Sequence, residues 1–284
     1  MGLIDARFLM KAAQDYRYGI PAYDTSSFEV MKYVVNAAQS ENSPVFLMLY
    51  PSFEEMMTLK RFADMAKLLA ADASVPVVIH LDHSKDFEQI KRAIDGGFTS
   101  VMYDGSTLPY EENLENTASI AEYVHSCGLP IEAELGKVGT GSNRDDFMNR
   151  ANYTDPDQAK QFVEATGIDY LAVAIGNSHG VYVETPHLDI ELLGKLKQAA
   201  GIPLVLHGTS LIPREQVAEA VRNGICKVNI ATELYLNIKE AYKKVMEAGL
   251  EKVNMLTLSY KQIEPEVSAY LRSTIRLLKS GKTN

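Results

Sequence analysis

The chain has 284 residues, with 28 Lys plus Arg against 37 Asp plus Glu and a formal charge of −9. Hydrophobic residues make up 46% and charged residues 23%, an ordinary globular composition that excludes wholesale disorder. The acidic balance argues against a nucleic-acid partner, and it leaves room for a locally positive pocket that takes an anionic small molecule. Two cysteines, Cys127 and Cys226, cannot build a disulfide framework, and no CxxC pair is present. The N-terminal segment has no apolar stretch of signal-peptide length, and no apolar run is long enough to cross a bilayer. The expectation is no membrane partner and a cytoplasmic location.

Short apolar runs rich in branched residues predict strands over 20–23, 45–50, 75–81, 100–103, 130–135, 170–175, 203–206 and 226–230. Helical spacing fills the intervals. One helix carries Leu114, Ala118, Ala121 and His125, with Gly128 closing it. A second opens at Asp155-Pro156, a cap followed by proline at the first helical position, and stops at Gly167. A third runs over 214–223 into Gly224. Strands alternating with helices in this way predict an α/β fold, a (β/α)8 TIM barrel, in one domain over 1–284. The rival, a doubly wound open sheet, lacks its Gly-x-Gly-x-x-Gly after the first strand. Two features exceed the plain barrel. The loop 136–152 is long and rich in Gly, Asn and Asp, a candidate lid. The region from 233 to about 280 carries more helix than one closing unit needs, which predicts an extra C-terminal helical arm.

Barrels of this kind place functional residues at the C-terminal ends of strands. His83 closes the third predicted strand in His80-Leu81-Asp82-His83, His179 follows the sixth, and His207 ends the seventh. A lone strand-end histidine is usually structural. Three of six histidines on one barrel face suit a metal held by neutral imidazoles with an open position. Asp82 is the carboxylate best placed for proton transfer, against the alternative that it only orients a histidine. His80, two residues before Asp82, shares its inward face. His125 and His187 receive no role. Asp104 ends the fourth strand, and Glu132 and Glu134 share one face of the fifth. Buried acids there must be paired or liganding. Gly208-Thr209-Ser210 and Asn229-Ile230-Ala231-Thr232 follow the last two strands, where these barrels bind phosphate.

These segments, with Ser100-Val101-Met102-Tyr103-Asp104-Gly105-Ser106, Glu132-Ala133-Glu134-Leu135-Gly136 and His179-Gly180, appear in order across about 75–235. Together they resemble class II, zinc-dependent ketose-bisphosphate aldolases of the fructose/tagatose branch. The resemblance implies reversible aldol cleavage to dihydroxyacetone phosphate and an aldehyde. It implies Zn²⁺ on His83, His179 and His207, with room for a monovalent cation, and Asp82 as the proton-transfer residue. Asp104 and Glu134 match an alternative metal position. Gly180, Gly208, Thr209, Ser210, Asn229, Ile230, Ala231 and Thr232 match the dihydroxyacetone-phosphate site. It further implies a sugar-phosphate substrate and a homodimer or homotetramer.

The sequence departs from that pattern on the aldehyde side. Arg144 stands where the family's mobile loop carries a proton-transferring Glu, which leaves Asp145, Asp146 or water for that task. Leu211 stands where the family has Gly. Asp24 replaces an Asn, Tyr50-Pro51 replaces a flexible turn, and the C-terminal Arg motif is absent, with Arg272 or Arg276 as substitutes. Asp24, Tyr50 and Arg144 are therefore the aldehyde-side candidates. These departures predict a ketose 1-phosphate with an unphosphorylated or differently substituted tail. The alternative is a ketose 1,6-bisphosphate cleaved to glyceraldehyde 3-phosphate. Two readings from other classes compete. A metal hydrolase on the same barrel lacks its His-x-His at the first strand. A non-catalytic sugar-phosphate binder is opposed by the presence of Asp82.

Overall fold

The computed structural model describes residues 2–249 and 258–282. In chain order the elements are β1 (Gly2–Leu3), α1 (Ala6–Tyr16), β2 (Ile20–Asp24), α2 (Phe28–Ser40), β3 (Val45–Leu49), α3 (Leu59–Ala71), β4 (Pro76–Ser84), α4 (Phe87–Gly96), β5 (Ser100–Tyr103) and α5 (Tyr110–Ser126). There follow β6 (Ile131–Leu135), α6 (Arg144–Met148), α7 (Pro156–Thr166), β7 (Tyr170–Val173), α8 (Ile190–Ala200), β8 (Leu204–Leu206), α9 (Arg214–Asn223), β9 (Ile225–Ile230), α10 (Thr232–Glu247) and α11 (Glu264–Leu278). Strands β2 to β9 pair in parallel in the order β4-β3-β2-β9-β8-β7-β6-β5, and a β4–β5 pairing closes the ring. This is the (β/α)8 barrel. The two-residue β1 adds to the start of β4.

Strand alternation sorts side chains into two cores. In β3, Phe46 and Met48 point into the barrel, whereas Val45, Leu47 and Leu49 face the helical shell. The inner core includes Ile20, Val78, Tyr170 and Val205, and α1 caps its N-terminal end through Leu9, Met10 and Ala13. The same alternation carries polar side chains upward on the inner faces: Asp24 above the apolar Ala22, then the pairs His80 and Asp82, Glu132 and Glu134, Lys227 and Asn229. The barrel is apolar at its base and charged at its C-terminal mouth.

The predicted caps act locally as expected. Asp155 accepts from the Asp157 and Gln158 amides, Pro156 opens α7, and Gly167 ends it in the left-handed conformation. α5 ends at Ser126, and Gly128 closes it as the residue after the cap, with φ +80° and its amide donating to the His125 carbonyl at 2.8 Å. The C-terminal region carries the extra helix expected, with both α10 and α11 after the last strand. α11 packs against α2, α9, α10 and β2, and its last turn accepts the Gly19 amide at the Leu278 carbonyl. It therefore occupies the barrel's outer shell. The additional helix is α10, whose Thr232, Tyr235 and Leu236 border the mouth. Residues 250–257 of the predicted arm lie outside the described residues. Among the described residues no helix is long and apolar enough to cross a membrane.

Candidate active site and metal centre

The C-terminal mouth holds a cavity of about 620 Å³. His83 and His179 line it and His207 is buried beside them; each offers a nitrogen, and these atoms lie within 4.8 Å of one another. The three come from different local devices. His207 follows β8 directly. His179 lies in the β7–α8 connection, where its amide donates to Gly139 O at 2.9 Å and its carbonyl accepts from the Gly141 amide at 2.7 Å. His83 follows Asp82 immediately, so regular alternation would turn it outward. A register shift between Leu81 and Ser84 and a positive φ of 48° bring it to the inner face. A left-handed conformation in a non-glycine residue is costly and is held only where surrounding contacts demand it.

Each imidazole has a distinct hydrogen-bonding state. His83 Nδ1 lies 2.9 Å from Asp104 Oδ2, which orients the ring and leaves Nε2 toward the cavity. His179 Nε2 is buried and has no hydrogen-bond partner. Burial, reinforced by the other two histidines, lowers its pKa to about 3, so the ring is neutral near pH 7. His207 Nδ1 meets Glu134 Oε2 at 2.8 Å and Nε2 meets Glu132 Oε1 at 2.8 Å. Burial opposes its protonation, but the two carboxylates prevail and push its pKa up to about 10. Asp104 and Glu134 also form a second converging set with His83.

Asp82 is buried beside His83, with Oδ2 3.8 Å from His83 Nε2, and its Oδ1 accepts from the Asn229 side-chain amide at 2.9 Å. Burial raises its pKa, yet nearby His83, Lys227 and His207 outweigh that and hold it below the usual carboxylate value. Asp24 is its opposite: burial, with the Asp82 charge next to it, raises its pKa well above the usual value. Its Oδ1 has no partner. One carboxylate at the mouth is thus kept ionised and its neighbour is driven toward the protonated form.

Beneath the histidines lies a group that sequence reasoning missed. Lys227, wholly buried, donates to Glu132 Oε2 at 2.8 Å, and Glu132 Oε1 holds His207. His80 stands 3.7 Å from Glu132 and lies 2.7 Å from Ser100 Oγ, and burial with the Lys227 charge drops its pKa to about 3. The available signal was a lysine inside an apolar strand run, two residues from Asn229 and so on the same inner face.

The remaining predicted residues divide clearly. Asp24, Tyr50, Asp104, Gly180, Gly208, Ser210, Asn229, Ala231 and Thr232 line the cavity with Asp82, His83 and His179. Thr209 and Ile230 are buried behind it, and Thr209 Oγ1 donates to the Asn229 carbonyl at 2.6 Å. Gly208 has φ +60°, and a Cβ there would lie 2.2 Å from the Ser178 carbonyl. Arg144 is not brought to the cavity. It pairs with Glu184 at 2.6 Å on the surface, because α6 turns it away. Nor do the loop acids reach in: Asp146 accepts from the Thr140 amide at 2.8 Å and from Asn143 at 3.0 Å, staples for the loop itself. Val138 and Thr140 are the loop residues that face the cavity. Arg276 pairs with Glu41, and neither it nor Arg272 lines the mouth.

Comparison with known proteins agrees with this geometry. A family described as "Fructose-bisphosphate aldolase class-II" matches residues 4–283. "Uncharacterized protein YdjI" of Escherichia coli strain K12 is 37% identical over 269 residues, covering 89% of this chain and 97% of that protein. Among solved structures, the YdjI aldolase from Escherichia coli K12 superposes with a TM-score of 0.88 at 35% identity, covering 99% and 98% of the two chains. A putative fructose-1,6-biphosphate aldolase from Coccidioides immitis gives 0.84 at 31% identity, covering 98% and 96%. A fructose-bisphosphate aldolase from Campylobacter jejuni gives 0.86 at 23% identity, covering 100% and 97%, a likeness of fold.

Proposed function

The chain belongs to the class II fructose-bisphosphate aldolase family and is an aldolase, and from that premise we propose a Zn²⁺-dependent, reversible cleavage of a ketose 1-phosphate or ketose 1,6-bisphosphate to dihydroxyacetone phosphate and an aldehyde. The observation that carries this reading is the convergence of His83, His179 and His207 beside the ionised Asp82. The donor set fits a divalent metal: three imidazoles meet, the buried His179 Nε2 has no other partner, and His207 would join by giving up a proton and one carboxylate partner to the ion. Imidazole donors with a position left open suit Zn²⁺. When bound, the ion supplies Lewis acidity toward the carbonyl oxygen of the three-carbon half.

The chain's own residues do the rest. In cleavage, Asp82 takes the proton from the C4 hydroxyl, and in condensation it returns that proton to the aldehyde oxygen. Asn229 fixes Asp82 through its side-chain amide. The C1 phosphate belongs at Gly180, Gly208, Ser210, Ala231 and Thr232, where backbone amides near the start of α10 favour an anion. No lysine Schiff base is needed. Asp104 orients His83, and with Glu134 it offers a second resting position for the metal. Cytoplasmic location and a homodimer or homotetramer complete the proposal, and light scattering reads the assembly.

The direct test is metal content with turnover. Excess chelator should abolish dihydroxyacetone phosphate release, Zn²⁺ should restore it, and His179→Ala should bind little zinc. Full activity in metal-free protein would remove the metal centre from the reaction.

A further inference from the structure

Ketose cleavage has a second proton step. Once the C3–C4 bond breaks, C3 of the three-carbon half must gain a proton. The loop 136–152 brings no acid to that carbon: among the described residues, Val138 and Thr140 are its members that border the cavity. The carboxyl groups that do border it are Asp24, Asp82 and Asp104. Asp104 is already committed. It meets His83 Nδ1, and it accepts from the Ser106 amide at 3.1 Å and the Ser106 hydroxyl at 2.6 Å. Burial opposes its ionisation, but those partners prevail and hold it well below the usual carboxylate range.

Asp24 is placed differently. It ends β2, which lies between β9, on the phosphate side, and β3, the neighbour of the Asp82 strand β4. It is 5% exposed, borders the cavity, and has no partner at Oδ1. Its side chain hydrogen-bonds Asp82, and burial with the Asp82 charge outweighs His83 and Lys227 and favours its protonated form. Asp82 is the ionised member of the pair, so the proton in the bond belongs to Asp24. Two adjacent carboxyl groups with one proton between them hand it either way.

We propose that Asp24 is a second catalytic residue, the acid that protonates C3 in a site whose loop supplies none. This rests on the aldolase reading above. In cleavage, Asp82 takes the C4 hydroxyl proton and the C3–C4 bond breaks with its electron pair left on the three-carbon half. Asp24 then gives its proton to C3. The proton on Asp82 passes along the shared hydrogen bond to Asp24, and both carboxyl groups return to their starting state. One proton has moved from the C4 oxygen to C3, and none is exchanged with solvent in the balance. Condensation runs the same steps backward.

The test uses the zinc-loaded protein and dihydroxyacetone phosphate in D2O, with no aldehyde. Proton NMR follows deuterium entering the hydroxymethyl carbon, which is C3 of the ketose. Asp24→Asn is nearly isosteric and should keep zinc by elemental analysis, yet it should slow this exchange by roughly 10²–10⁴-fold, the worth of a general acid–base group. Asp145→Asn should exchange at the wild-type rate. A second readout separates proton transfer from mere support of the site. With ketose present, hexacyanoferrate(III) oxidises the unprotonated three-carbon half, and its reduction relative to dihydroxyacetone phosphate release should rise in Asp24→Asn. Unchanged exchange in Asp24→Asn, an unchanged trapping ratio, or loss of exchange in Asp145→Asn instead overturns the assignment and leaves the aldolase reading standing. A wild type that neither exchanges this hydrogen nor releases dihydroxyacetone phosphate overturns the aldolase reading, and this inference with it.

Discussion

The two sides of the mouth are built on different principles. Over β8 and β9 the cavity is bordered by Gly208, Ser210, Ala231 and Thr232, where backbone and small side chains face the cavity and Gly208 leaves no room for a Cβ. Over β2, β3 and β4 it is bordered by Asp24, Tyr50 and Lys85, where side chains carry all the chemistry. Backbone donors are fixed by the fold and suit a group common to every substrate. Side chains change by single substitutions and suit the part of the substrate that varies. On the proposed function, the cleavage chemistry common to every substrate and the choice of aldehyde are physically separated, with Asp82 between them.

The sharpest way to probe that separation is at its centre. Asp82→Ala should keep the fold and the metal, and should lose roughly 10²–10⁴ in kcat, the range of a general acid–base group. If Asp82 instead served only to orient His83, the variant would lose metal affinity. Elemental analysis alongside initial rates distinguishes the two, and an active, zinc-replete variant contradicts both.

Next in size is the support beneath the three histidines. Glu132 both neutralises the buried Lys227 and holds Nε2 of His207. Glu132→Gln leaves a buried cation without its partner, and should lower both stability and zinc affinity, the latter by roughly 10–100-fold. The double variant Glu132→Leu with Lys227→Met removes both charges. It should recover stability but not zinc affinity, read by denaturant unfolding and by chelator competition. Recovery of both would reduce the pair to a core filler.

Much of this was legible in sequence because the barrel turns strand ends into a spatial filter. His179 and His207 sit where that filter places them, and the period of two put Asp82 and His80 on one face. The remainder depended on distant parts of the chain. Glu132 and Lys227 are 95 residues apart, and nothing local says that they pair. His83 reaches the cluster through a bulge and a left-handed backbone, which an apolar pattern does not encode. Arg144 was placed by counting along a loop, whereas α6 and Glu184 decide its direction. The surplus of helix after β9 was legible, but which of α10 and α11 packs into the shell against α2, α9 and β2 depended on distant contacts.

A smaller effect tests whether the aldehyde side retains a phosphate site as complete as the other. One rim lysine should favour an anionic tail by roughly tenfold, and a site with several backbone or bidentate donors by a hundredfold or more. We therefore expect kcat/KM for fructose and tagatose 1,6-bisphosphates to stay within about a hundredfold of the corresponding 1-phosphates. A larger preference would mean that the two sides are equivalent after all.

The smallest expected effect concerns the boundary between the phosphate side and α10. Leu211 has φ +67° and is exposed, so its side chain has little packing to lose, yet its backbone occupies a region that glycine alone adopts without strain. The residue is held there by its neighbours: the Leu211 amide reaches Glu233 at 3.4 Å, and the Ser210 hydroxyl accepts from the Glu233 amide at 3.0 Å, capping the start of α10. Leu211→Gly should relieve a left-handed strain of about 1 kcal/mol, offset in part by the greater freedom of glycine in the unfolded chain. The net expectation is a stability gain of a few tenths of a kcal/mol up to about 1 kcal/mol, with kcat/KM for the three-carbon phosphate unchanged. Denaturant midpoints of the two proteins at equal slope measure it. A clear loss of stability would show that the Leu211 side chain makes a contact that outweighs its backbone conformation, and that the phosphate side, too, relies on side-chain packing.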